Sequence, residues 1–118
     1  MLFKAAVENS FDAIGMATPE GKHWYQNEAF DRLFGQIDDS SPETNFADKN
    51  IARKILRTIM ADHPWVGVVK MVGRSGDLLD ILLRAYAIRN DEGRVVGLVG
   101  THTDITERKA LQAQYEQA

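Results

Sequence analysis

The clearest pattern in this 118-residue chain is a set of three strand-length apolar segments in its C-terminal half. They run from Trp65 to Val72, from Leu78 to Arg89 and from Val95 to Thr103, and glycine-containing turns separate them. Short connections of this kind are typical of consecutive antiparallel hairpins. We therefore predict a three-stranded antiparallel meander here.

The N-terminal half predicts two shorter strands and a helix. Residues 12–17 and His23–Gln26 flank a turn that contains proline and glycine, which favours a hairpin. Asn27 follows the second strand, and its side-chain carbonyl is suited to accept a backbone N–H in the first turn of a helix. Gly35 provides the residue that ends this helix.

A second, longer helix is predicted over residues 47–62. Ile51, Ile55 and Ile59 recur at intervals of four, so they fall on one face, and Ala52 and Leu56 lie beside them. The helix should end before Pro64, because the residue preceding a proline is displaced from the α region.

Two strands, a helical region and three further strands predict an α+β domain. The expected architecture is one five-stranded antiparallel sheet with its helices on one face. Residues 1–11 have apolar positions at helical spacing and predict an N-terminal flanking helix, and residues 106–118 predict a helix that leaves the domain. The core is therefore expected to span residues 12–105.

Apolar side chains occupy both faces of the predicted strand over residues 78–89. Ile81 and Leu83 share one face, whereas Leu78, Leu82 and Tyr86 share the other. One face packs against the helices. Because a wet apolar face is costly, we expect the other to be covered by residues 1–11 and by a second copy of the chain, which makes a homodimer.

Composition narrows the range of partners and locations. The chain is 44% apolar, and its net charge is −3 with both signs interspersed, so it has no basic stripe for nucleic acid. No apolar run approaches the ~20 residues that span a bilayer. We expect a cytoplasmic domain that neither binds nucleic acid nor inserts directly into a membrane.

The order of these elements and several short strings together resemble the PAS family. The strings that carry the resemblance are, in chain order, Glu8–Ile14, Asn27–Phe30, Leu33–Gly35, Gly76–Leu83, Val96-Gly97 and Asp104–Lys109. The resemblance implies a cup that holds a small ligand, a cofactor or nothing, and that passes a change of state to an attached output domain.

The last of these strings lies where the sheet meets the exit helix. Asp104 and Thr106 have side chains suited to accept the first N–H groups of that helix. The resemblance further implies that this junction, formed by Asp104, Ile105, Thr106 and Arg108, couples the sheet to the output.

The sequence limits the chemistry that the cup supports. The chain has no cysteine, which excludes disulfides, thiolate metal sites and a covalent flavin–cysteinyl adduct. Its three histidines are not paired at metal-binding spacing, so no metal site is predicted. His63 is best placed to ligate haem, but it precedes Pro64 in a predicted exposed loop. No cofactor is favoured, and noncovalent flavin has no positive signal.

We expect a sensory or dimerisation module that is not itself an enzyme and that regulates an attached histidine kinase or diguanylate cyclase. The cup is expected to bind a small molecule. The residues predicted to line it are Trp24, Ile51, Ile55, Leu56, Ile59 and Leu83.

Two alternatives remain open at this point. A small proton-transfer isomerase would need a carboxylate with a raised pKa inside the cup. Asp80 is the eligible residue, with Arg84 as a candidate partner on the same strand face, although an outward-facing position is the simpler interpretation. Alternatively, side chains of the domain itself fill the cup, and the module only dimerises.

Overall fold

The computed structural model describes residues 11–37 and 42–117 and contains five strands and three α-helices within them. In chain order these are β1 (Ala13–Ala17), β2 (His23–Gln26), α1 (Glu28–Phe34), α2 (Lys49–Met60), β3 (Trp65–Val72), β4 (Leu78–Arg89), β5 (Val95–Asp104) and α3 (Thr106–Gln117). A short 3-10 helix, Pro42–Asn45, precedes α2. The predicted helix over residues 1–11 lies almost wholly outside the described residues.

All five strands form one antiparallel sheet in the order β2-β1-β5-β4-β3. The β1–β2 hairpin and the β3–β4–β5 meander are joined where β1 pairs with β5. This pairing places Ala13 opposite His102 and Gly15 opposite Gly100. The predicted fold class, one antiparallel sheet with helices on one face, is confirmed.

The core lies between the sheet and helices α1 and α2. Alternation along β4 turns Ile81 and Leu83 towards the helices, where they are 0% and 2% exposed. Ile55 and Ile59 of α2 and Phe30 of α1 close the core from the other side. The apolar positions of the strands, which alternate, and those of the helices, which recur every three or four residues, therefore face the same core.

Asn27 joins the N-terminal hairpin to α1. Its Oδ1 accepts hydrogen bonds from the backbone N–H of Phe30 at 3.0 Å and of Ile14 at 2.9 Å. Its Nδ2 donates to the carbonyl oxygen of Asp12 at 3.0 Å, and the residue is fully buried. The predicted cap is therefore also a link between β1 and α1.

The outer face of the sheet is exposed in the part of the chain that the structure describes. Val66 is 62% exposed, Val68 50%, Leu78 56% and Tyr86 43%. The predicted cover by residues 1–11 lies outside the described residues. Coverage of this face by a second copy therefore stays a prediction.

Helix α3 follows β5 and lies outside the core of the domain. None of its described side chains is buried, and Leu111 and Tyr115, four residues apart on one side, are both exposed. No described helix combines the length and apolar character that a membrane span requires.

Replacing Asn27 with alanine should cost about 3 kcal/mol of unfolding free energy, because the cap is lost and buried backbone groups lose their partners. Chemical denaturation measures this. Asp48→Ala is the matched control, since Asp48 also caps a helix but is exposed and accepts from Asn50 N. It should cost about 1 kcal/mol or less. Equal losses in the two variants would contradict the linking role.

Candidate functional site

A partly open cavity of about 120 Å³ lies between the inner face of the sheet and helix α2. Apolar side chains make up most of its wall. They include Phe30, Ile37, Ile55, Ile59, Leu83 and Leu98. The polar side chains in the wall are those of His23, Asn45 and His102.

Two facing glycines shape the floor of this cavity. Gly15 and Gly100 pair across β1 and β5, and both face inward. A Cβ atom at Gly15 would lie 2.9 Å from Cε2 of Phe30, and one at Gly100 would lie 3.1 Å from Cε1 of His102. The absence of side chains here lets the two rings lie directly over the backbone.

The structure brings four of the six predicted lining residues together. Ile55, Leu56 and Ile59 of α2 and Leu83 of β4 line the cavity. Whether they bind a ligand stays a prediction.

Trp24 and Ile51 do not line the cavity, and their predicted positions are corrected. The buried residue at the start of β2 is His23, so its neighbour Trp24 points outward and is 61% exposed. Ile51 is 38% exposed because the buried stripe of α2 runs through Ala52, Ile55 and Ile59.

His102 is a functional candidate that the sequence analysis did not single out. Its ring is 7% exposed, and Nδ1 lies 3.0 Å from the carbonyl oxygen of Ala13. Burial lowers the pKa of His102 from 6.5 to about 4, although the nearby backbone carbonyls of Ala13 and Gly100 act in the opposite direction. The ring is therefore neutral at pH 7.

His23 is the second buried histidine of the cavity wall. Its Nε2 lies 2.8 Å from Oε1 of Gln26, and burial lowers its pKa as well. Phe30 stacks on the His23 ring at 5.4 Å between centroids and meets the His102 ring edge-on at 5.5 Å. Both histidines thus belong to one aromatic cluster with Phe30.

The predicted junction between the sheet and the exit helix is built around the hydroxyl of Thr106. This hydroxyl accepts a hydrogen bond from Asp80 N at 2.9 Å and donates one to Oδ1 of Asp104 at 2.6 Å. Asp104 also accepts from Thr106 N, and Ile105 N donates to the carbonyl oxygen of Asp80. The first turn of α3 is therefore attached to β4 as well as to β5.

An ion pair reinforces this attachment. The carboxylate of Asp80 lies 2.7 Å from Nζ of Lys70 on β3 and 3.6 Å from Nζ of Lys109 on α3. The two ammonium groups, that of Lys70 above all, hold the pKa of the Asp80 carboxyl below its ordinary value. Arg108, the fourth predicted junction residue, is exposed, and Lys109 makes the ion pair from this turn.

The predicted Asp80–Arg84 pair is replaced by Asp80 with Lys70. In antiparallel strands the directly opposite residue is nearer than the residue four positions along, and Lys70 is opposite Asp80. Asp80 faces away from the cavity, and no carboxylate lies in the wall that the described residues form. The isomerase alternative is therefore not favoured.

The third histidine belongs neither to the cavity wall nor to the junction between the sheet and α3. His63, the predicted best haem ligand, is exposed after the end of α2. Among the described residues, no cluster of histidine and acidic side chains is arranged to hold a metal ion.

A family model described as "PAS domain" matches residues 12–107, which is most of the chain and includes every strand and the Asp80–Thr106 contact. The chain belongs to the PAS domain family. The predicted core boundary at residue 105 falls two residues before the end of this match.

Proteins similar to this PAS domain include a histidine kinase and two proteins of solved structure. The methanogenesis regulatory histidine kinase FilI of Methanothrix harundinacea is 25% identical over 113 residues, which cover 91% of this chain and 13% of that protein. An RNA-binding Light-Oxygen-Voltage receptor is 24% identical with a TM-score of 0.83, over 98% of this chain and 36% of that one. The chain thus corresponds to a small part of the kinase.

The second solved structure corresponds to a complete PAS domain. The PAS domain of a protein from Colwellia psychrerythraea is 20% identical with a TM-score of 0.81, over 90% of this chain and 96% of that one. At this identity the likeness shows the fold alone.

Acidification from pH 7 to pH 5 should destabilise the domain by about 2 kcal/mol through His102 alone. Its pKa is about 4 in the folded state and 6.5 as the ordinary value, so below pH 6.5 the unfolded chain binds a proton that the folded chain does not. This stability is present above pH 6.5 and is lost as the pH falls towards 4. Denaturation midpoints across this range measure it.

The His102→Phe variant is the control for this pH dependence. Phenylalanine keeps a ring in the aromatic cluster and does not titrate, so the loss between pH 7 and pH 5 should shrink by most of that amount. An unchanged pH profile in this variant would contradict the assignment.

Proposed function

We propose that this PAS domain senses a small molecule in its cavity and passes the resulting change, through β4 and α3, to an output domain attached after α3 in the cytoplasm. The curated relative, a histidine kinase, supports a kinase rather than a diguanylate cyclase as that output. The domain itself is proposed to have no catalytic role. The cavity favours sensing over an interaction-only module, since a filled cup would leave no space for a ligand.

The observation that carries this proposal is that β4 contacts both regions. Leu83 of β4 lines the cavity, and Asp80, three residues earlier, holds the first turn of α3 through backbone and side chain. Ile81 lies between them and is completely buried. A displacement of the cavity wall therefore reaches α3 through one short, continuous stretch of backbone.

The strength of the junction suits a reversible change. Its hydrogen bonds are few, and the Lys109 ammonium that pairs with Asp80 is half-exposed, so solvent screens the ion pair. Helix α3 has no buried side chain that would fix it independently. A ligand that prefers one position of β4 then shifts the population of attached and released α3.

Thr106→Val should release the start of α3, because valine has nearly the same shape but neither accepts from Asp80 N nor donates to Asp104. Loss of about 1 kcal/mol of local hydrogen bonding predicts about five-fold faster amide exchange in the first turns of α3.

The matched control is Thr101→Val on β5, where the hydroxyl makes no hydrogen bond with the described residues. In the full-length protein, Thr106→Val should also change output activity while Thr101→Val leaves it unchanged. Equal exchange and equal output in the two variants would contradict the proposal.

We also propose that the outer face of the sheet is a homodimer interface. Exposed apolar side chains from β3, β4 and β5 lie on this face, and a two-fold axis would bury the same patch on both copies. The exposed pair Leu111 and Tyr115 on α3 would extend the contact where the two helices leave the domain side by side.

Val68→Glu should convert the dimer to a monomer, because it places a charge within the proposed interface. Light scattering over a range of protein concentrations measures the mass. Met60→Glu is the control, since Met60 is 40% exposed on α2, on the other side of the sheet. A wild-type protein that stays monomeric at high concentration would contradict the interface.

A further inference from the structure

The hydrogen bonds of His102 determine which of its ring nitrogens is left free. The backbone carbonyls of Ala13 and Gly100 both lie near the ring, but of the two that of Ala13 is at hydrogen-bond distance, 3.0 Å from Nδ1. Because a backbone carbonyl only accepts, this contact places the ring proton on Nδ1. With the ring neutral, Nε2 carries a lone pair and is an acceptor. No described residue donates a hydrogen bond to it. The Nε2 edge of the ring lies over Gly100, in the floor of the cavity.

His23 is held in the opposite tautomer. Nε2 of Gln26 donates to the carbonyl oxygen of Gly35 at 2.9 Å, which leaves its Oε1 as the atom that faces His23 Nε2 at 2.8 Å. Because that oxygen only accepts, His23 donates from Nε2, and its Nδ1 is the acceptor.

Asn45 contributes a third acceptor to the cavity wall. Its Nδ2 donates to the carbonyl oxygen of Val72 at 3.3 Å, which sets the orientation of the amide. The Oδ1 atom is then buried and has no hydrogen-bond partner among the described residues. A buried acceptor without a partner is costly, so a ligand that donates to it recovers free energy.

The volume of the cavity limits the size of the ligand. About 120 Å³ is close to the ~150 Å³ apolar cavity that accommodates benzene, and it is smaller than the roughly 300–1,000 Å³ of drug-sized ligand pockets. The walls are aromatic and aliphatic, with neutral histidines and no carboxylate, lysine or arginine among the described lining residues. A charged ligand would therefore be desolvated without compensation.

We infer that the cavity takes a small, uncharged aromatic molecule with one hydroxyl or N–H donor, such as a phenol, which donates to Nε2 of His102. This rests on the proposed sensory function and names the chemical class of its ligand. The aromatic ring of the ligand occupies the apolar space between Ile55, Ile59 and Leu83. Its donor faces the acceptor atom Nε2 of His102.

Phenol and toluene test this inference, because they have the same number of heavy atoms and differ in the donor. Titration of each into the protein, followed through the methyl NMR signals of Ile55, Ile59 and Leu83, gives both the site and the Kd. We expect phenol to bind more tightly than toluene. In His102→Phe the ratio of the two affinities should shift towards toluene by about five- to ten-fold, since one hydrogen bond is lost.

Two further variants separate cavity binding from other effects. Ala52→Leu places a larger side chain in the cavity wall and should weaken both compounds, whereas the same substitution at the exposed Ala110 of α3 should weaken neither. The ring ¹⁵N signals of His102 in the unmutated protein add a test that needs no substitution. Phenol, but not toluene, should move the Nε2 signal.

The inference would be overturned if toluene bound the unmutated protein as tightly as phenol. It would also be overturned if phenol bound without moving the Nε2 signal of His102, or if neither compound bound in the cavity. These outcomes are distinct from a failure of the proposed function. The effect of Thr106→Val on α3 and on output activity is measured without any ligand, so it stands or falls separately.

Discussion

The proposed coupling between the cavity and the exit helix depends on two hydrogen bonds between one residue of β4 and the start of α3. Asp80 donates from its backbone N–H to the Thr106 hydroxyl and accepts at its carbonyl from Ile105 N. Both bonds use backbone atoms of Asp80, so in the proposed mechanism a displacement of the strand moves the start of the helix with it. The Asp80 carboxylate adds Lys70 and Lys109, which connect β3 and α3 to the same point.

Strand β4 links the cavity and this junction, because its two faces carry side chains that belong to different regions. Leu83 turns towards the cavity, whereas the side chain of Asp80 turns towards solvent and the lysines. The floor of the cavity is kept open by Gly15 and Gly100, whose missing side chains let the rings of Phe30 and His102 approach the backbone. Keeping the buried His102 ring neutral costs stability in acid, because the ring is desolvated in the cavity wall.

Most of the fold was predictable because its signals are local. The bounds of β2, β3 and β4 match the predicted segments, since glycine turns and alternating apolar residues define them. The position of Asn27 as a cap was also predictable from its type and its place before an apolar stripe. Its second role, holding Ile14 N of β1, was not, because it depends on how two elements dock.

The site was less predictable because its residues are brought together by the pairing register of neighbouring strands, which the sequence does not show directly. The lining was inferred from apolar residues alone, so His23 and His102 were passed over. The signal that could have found His102 is its alternation with Gly100 and Leu98 on the inner face of β5. The partner of Asp80 depends on which residue of β3 lies opposite, and Lys70 is ten positions away in sequence.

The most direct test is amide exchange at Ile105 in the unmutated chain and in Ala52→Leu, with Asn90 as the internal reference. Ile105 N reports on the attachment of α3 to β4, whereas Asn90 N, which donates to the carbonyl oxygen of Arg94, reports on the turn at the opposite end of β4. Altering the cavity wall from α2 should change exchange at Ile105 severalfold and leave Asn90 nearly unchanged. Exchange at Ile105 that stays the same while the methyl signals of the cavity move would contradict the proposed coupling.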